Sequence, residues 1–114
     1  MPEHRVAVAT TDGKVVNEHF GRAKFFTVFD IGENGIVFAE RRDTIAVCRE
    51  FSHNESDFDK VIKLLGDCEA VFVAKIGYGA AAYIIQKGLR VFEAPGFIED
   101  VLQKVIDDKL LETV

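Results

Sequence analysis

Residues 69–94, EAVFVAKIGYGAAAYIIQKGLRVFEA, constrain the fold more than any other part of the chain. A short buried-type strand, EAVFVAK, ends in a glycine turn. Helix-favouring residues follow, stop at Gly88, and give way to a second short strand, LRVFEA. Strand, helix and strand at this spacing require parallel pairing with a right-handed crossover, because the helix carries the chain back along the sheet. The second half is therefore an α/β unit. It closes with FIEDVLQKVIDDKLLETV, where Ile98, Val101, Leu102, Val105 and Ile106 repeat at a helical period.

The first half predicts strands of another kind. In RVAVAT, residues 5–10, Val6, Val8 and Thr10 alternate with Ala7 and Ala9, and the small face would let a helix pack closely. Asp12-Gly13 ends that run as a turn. KFFTVFDI, residues 24–31, is apolar on both faces, as expected of a strand covered on both sides. GENG then reads as a hairpin turn into GIVFAERRD, making antiparallel neighbours. In SHNESDFDKVIKLLGD, Ser56 can cap a helix whose apolar stripe is Phe58, Val61, Ile62 and Leu65, with Gly66 as its stop. The fold class expected is α/β: a mixed five-stranded sheet with helices on both faces, one domain over residues 1–114.

Composition narrows the function. The net charge of −5 argues against non-specific nucleic-acid binding, which needs a basic surface. No run approaches the roughly 18 apolar residues of a membrane span. MPEHR leads straight into a strand-like run without signal-peptide character, so a cytoplasmic location is expected. The two cysteines, Cys48 and Cys68, lie twenty residues apart and cannot supply a four-thiolate cage. Any metal cluster must arrive preformed and be held by few ligands. Cys68, just before a buried strand, reads as a packed thiol; Cys48, in a polar stretch, is an optional thiolate. Hydrolysis is disfavoured. RVAVAT projects no carboxylate for metals, Asp30 stands alone on its strand, and there is no nucleophile elbow.

Two stretches could carry chemistry. In NEHFGRAKFF, residues 17–26, His19 offers an imidazole lone pair suited to iron, zinc or a transition-metal cluster. Phe20 can anchor the loop, Gly21 allows close approach of a bulky ligand, and Arg22 and Lys24 offer charge to an anion. Chemistry alone favours a humbler role for a lone histidine, capping a turn and bonding the backbone. In AKIGYGAAA, residues 74–82, a glycine turn at Gly77 and Gly79 opens a helix whose free N–H groups, with Lys75, could bind an anion. A glycine turn needed for packing explains that motif equally well. The G-x-G is too short for a dinucleotide fingerprint, and no Walker lysine follows.

Taken in order, VAVAT, VVNEHFGRAKFFTVFDI, DCEAVFVAKIGYGA and GLRVFEAPGFIEDVLQKV resemble the dinitrogenase iron–molybdenum cofactor biosynthesis family, the NifX-like domain also found at the C-terminus of NifB-type proteins. The resemblance covers nearly the whole chain. It implies a ribonuclease H-like fold without nuclease activity, and a non-enzymatic role in binding or carrying an iron–sulfur-type cluster, the iron–molybdenum cofactor or its precursor. By position it makes His19 the cluster ligand, with Phe20, Gly21 and Arg22 as its setting. The family's glycine turn falls at Gly77, beside Lys75. Implied partners are the metallocluster and proteins that donate or accept it. A regulatory domain that has lost the cluster, and a small-anion-binding module, are the alternatives.

Overall fold

The computed structural model describes residues 4–33, 35–44 and 57–111. In chain order the strands are β1 (His4–Ala9), β2 (Val15–Val16), β3 (Phe25–Gly32), β4 (Gly35–Asp43), β5 (Ala70–Val73), β6 (Arg90–Glu93) and β7 (Gly96–Phe97). The helices are α1 (Asp57–Leu64), α2 (Tyr78–Gln86) and α3 (Ile98–Asp107). Five strands form one mixed sheet in the order β4-β3-β1-β5-β6. β4, β3 and β1 are antiparallel neighbours, while β1, β5 and β6 run parallel. The hairpin expected at GENG and the parallel β5–α2–β6 unit are both present.

The alternation along β1 decides what covers each face. Ala7 and Ala9 join a core with Phe26, Val28, Val71 and Val73 from the sheet, Val61 and Leu65 from the α1 region, and Ile84 from α2. Val6 and Val8 join a second core with Ala70 and Phe72, closed by Ile98, Leu102 and Val105 of α3. Helices therefore lie on both faces, and β1 is buried from Val6 to Ala9. Ile84 and Leu102 are fully buried. Truncating either to alanine leaves a cavity and costs about 2–5 kcal/mol.

Several details depart from the sequence reading. α3 ends at Asp107, within the stretch FIEDVLQKVIDDKLLETV and just past the last residue of its apolar repeat, Ile106; Lys109 has φ 53° and turns the chain so that buried Leu111 folds back onto the core. Asp30 remains the one carboxylate of β3, and it takes two bonds from Arg5, at 2.7 and 3.0 Å, which the sequence reading did not foresee. A two-stranded sheet joins β2 to β7, pairing Val15 with Phe97 and Val16 with Gly96. The cap expected at Ser56 lies outside the described residues, as does the side chain of Phe58.

The small sheet fixes the path from β1 to the His19 loop. Asp12 Oδ1 accepts the N–H groups of Lys14 and Val15, and Gly13 supplies the φ of +78° that the turn needs. Asn17 then spans back to Thr11, accepting its N–H at 2.9 Å and donating to its hydroxyl at 2.8 Å. Among the described residues no helix is long and apolar enough to cross a membrane.

Candidate functional site

Beyond the end of β5 the chain is met by the loop from residue 17. Ala74 N–H donates to Glu18 O at 2.9 Å, and Phe20 N–H donates to Lys75 O at 3.0 Å. His19 and Lys75 thus form a parallel bridge, and the two candidate stretches become one site. Both segments leave the bridge in the same direction. Two residues on, they reach Gly21 and Gly77.

The loop is held by its backbone and by Phe20. The Phe20 ring is buried, with its centroid 5.9 Å from that of Phe26. A single 3-10 turn, Phe20–Arg22, is closed by Arg22 N–H donating to His19 O at 3.1 Å. Its exit is pinned by Thr44, whose hydroxyl donates to Ala23 O and whose N–H donates to Lys24 O. His19 occupies the cap position, yet its side chain makes no cap bond, and its N–H donates to Glu18 Oε1 at 2.8 Å. The turn-forming role that chemistry alone favoured belongs to the backbone at 19, not to the imidazole. The imidazole is half-buried.

The glycines behave the same way. A Cβ placed on Gly21, Gly77 or Gly79 would meet no atom within 4 Å, and none of the three has a left-handed φ. Neither packing nor backbone conformation inside the molecule requires glycine there. Gly79 lies within α2, where glycine costs up to about 1 kcal/mol relative to alanine. These three positions keep the surface bare.

Arg22, Lys24 and Lys75 are exposed, and among the described residues none is in an ion pair. Gly77 caps α2 without a side-chain bond, so the first N–H groups of that helix face solvent. One donor of the turn is already taken: Ile76 N–H donates to Glu93 Oε2 at 2.9 Å. That carboxylate belongs to β6, and nothing in the local sequence of the turn announces it.

The remaining candidates separate. Cys68 is buried at the other end of β5, and burial pushes its thiol up to about 12, with Asp67 adding to the shift. It is a packed thiol. Cys48 lies outside the described residues. Among the described residues no group of three His, Cys, Asp or Glu side chains could hold a metal ion. A cavity of about 440 Å³ is lined by Phe29, Ile36, Phe97 and Ile98 with Lys14 and Glu99, and contains none of the His19 site.

Residues 3–108 match the family described as "Dinitrogenase iron-molybdenum cofactor". The chain is 36% identical to the protein NifX of Sinorhizobium fredii, over 96% of this chain and 71% of that one. It is 33% identical to the FeMo cofactor biosynthesis protein NifB of Frankia alni over 89% of this chain, but spans only a fifth of that relative's length. The orange protein of Desulfovibrio gigas, in its apo form, has the same fold at 20% identity, with a TM-score of 0.67 covering 93% of this chain and 89% of that one. The chain belongs to the dinitrogenase iron–molybdenum cofactor family.

Proposed function

We propose that the chain is a small non-enzymatic carrier whose cargo is a preformed iron–sulfur-type metallocluster, the iron–molybdenum cofactor or a precursor. His19 is the protein's metal ligand. Arg22 and Lys75 complement the cluster's negative charge, helped by Lys24, and Phe20 fixes the loop. Gly21 and Gly77 let the cluster approach the backbone. The carrying observation is the bridge between His19 and Lys75, which joins an imidazole without a cap bond to bare glycines and to cations that are in no ion pair among the described residues.

The donor set suits cargo better than a resident centre. One imidazole cannot assemble a cluster from free ions, but it can take one open position on a cluster that arrives intact. Few ligands also make release easy. The net charge of −5 opposes an anionic cargo, yet salt screens distant charges within about 8–10 Å, so the nearby cations decide. The strand order supports the ribonuclease H-like reading of the fold, and a cytoplasmic location with cluster-donating and cluster-accepting partners follows from the carrier role.

The test is anaerobic uptake of a synthetic [4Fe–4S] cluster bearing labile thiolates, read by absorbance after desalting. Wild type should retain it and His19→Ala should not, while His4→Ala, whose imidazole is 2.7 Å from Glu69, should behave as wild type. Equal retention by wild type and His19→Ala would remove the ligand assignment. The uncapped start of α2 favours a second reading, a small-anion module. Under that reading inorganic phosphate would raise the melting temperature while the cluster would not.

A further inference from the structure

Strand β5 loses its β6 partner at the point where the site begins. The last bond between them runs from Ala94 N–H to Val73 O at 2.9 Å, and Pro95, which follows, has no N–H to give. Beyond it the chain is tied to the His19 loop through Ala74 N–H and Lys75 O. From β6 a side chain reaches it instead of a strand. Glu93, the last residue of β6, accepts Ile76 N–H at its Oε2, 2.9 Å away, across seventeen residues of sequence. Glu93 is exposed, yet among the described residues it is in no ion pair, not even with Lys75. Its carboxylate engages the backbone between Lys75 and Gly77 rather than the lysine beside it.

We propose that Glu93 is a positioning residue of the cluster site: its hydrogen bond fixes the Lys75–Gly77 turn beside His19, and its charge keeps the hold on an anionic cargo loose. The inference rests on the carrier reading above. The two effects of this one side chain act in opposite directions. The bond restrains a turn that leads into Gly77, and glycine gives up more conformational freedom on ordering than any other residue. Without the bond the turn loses its tie to β6, and Lys75 its fixed place relative to the imidazole. The charge works against binding, because a carboxylate at the turn repels the same anion that Arg22, Lys24 and Lys75 attract. Glutamine at this position would satisfy Ile76 N–H equally well, since its amide oxygen also accepts. The carboxylate satisfies it at a cost to anion binding, which suits a cargo that must leave.

Anaerobic titration with the [4Fe–4S] cluster bearing labile thiolates, at low salt, separates the two effects. Glu93→Gln keeps the bond and removes the charge, so it should bind roughly two- to fivefold more tightly than wild type, a gain that fades with added salt. Glu93→Ala removes both, so it should bind about threefold or more weakly than Glu93→Gln. In a Lys75→Ala background that difference between alanine and glutamine should shrink, which a merely structural role of Glu93 would not produce. Glu99→Gln, which removes an acid outside the site, should bind as wild type does. Equal binding by Glu93→Ala and Glu93→Gln would overturn the proposal, as would a Glu93→Gln variant no tighter than wild type. So would a difference that survives in full without Lys75. All three results would leave the carrier reading standing, whereas no uptake by wild type would overturn that reading and the role of Glu93 with it.

Discussion

The two ends of β5 carry charge in opposite ways. Before the strand, Asp67 sits between two guanidinium groups, bonded to Arg5 at 2.9 Å and to Arg42 at 2.5 and 2.8 Å, while Arg5 also holds Asp30. Arg42 goes on to donate to Leu64 O at 2.8 Å, which ties the end of α1 to the sheet. After the strand, Lys75 and its neighbours Arg22 and Lys24 hold no such partners among the described residues. One corner satisfies its charges internally and so supports the fold. The other leaves them open, beside an imidazole and three glycines that the fold does not use, and is suited to something from outside.

That contrast can be broken most sharply at His19. His19→Ala should lower cluster retention about tenfold or more, equivalent to about 1.4 kcal/mol or more. The same change should leave the melting temperature near that of wild type, since the imidazole makes no cap bond. A variant that unfolds instead would return His19 to a structural role.

Asp67→Ala is the mirror experiment. It strips both arginines of a shared partner, and Arg42 is only 12% exposed. The loss should be about 1–2 kcal/mol, discounted for the half-exposed carboxylate, with cluster retention unchanged. Denaturant midpoints would report the first effect and absorbance the second. The pH dependence has a definite sign. Arg42 and Arg5 hold the Asp67 carboxyl well below its ordinary 3.8, so its stabilisation is present above that value and is lost as acid protonates it. The gap between wild type and Asp67→Asn should therefore narrow below about pH 4.

Gly79→Ala sharpens the comparison from the other side. The added methyl meets nothing, so the helix should gain about 0.5 kcal/mol while cluster retention falls. A gain in both would mean that the bare surface serves no ligand. Arg22→Ala and Lys75→Ala should each weaken cluster binding by roughly two- to fivefold at low salt, an effect that fades as added salt screens the charges. Titration of cluster uptake at two salt concentrations separates that outcome from a folding defect.

Much of this was legible in the chain. Alternation in RVAVAT assigned its small face to helices, and the glycine-punctuated run at 69–94 implied the parallel unit; both rest on periodicities that local sequence carries. What was not legible depended on distant pairing. Val15–Val16 is too short to show a period, and its partner Gly96–Phe97 lies some eighty residues away. The partner of Asp30 was hidden because Arg5, twenty-five residues away, meets it only in the folded sheet. At the site, the residue types of NEHFGRAKFF and AKIGYGAAA were visible separately. Their union through the His19–Lys75 bridge was not, nor was the Glu93 carboxylate that occupies one donor of the glycine turn. The Phe20 anchor, by contrast, was readable as a large apolar residue inside a polar loop.

The central claim is that His19 binds the cargo's metal through its ring. Pulsed electron paramagnetic resonance of the reduced, cluster-loaded chain, grown with ¹⁵N-labelled histidine, tests it most directly. The account expects a ¹⁵N coupling of the size of a directly bound imidazole, present in wild type and absent from His19→Ala. A loaded cluster without that coupling, or with one that survives the substitution, would contradict it.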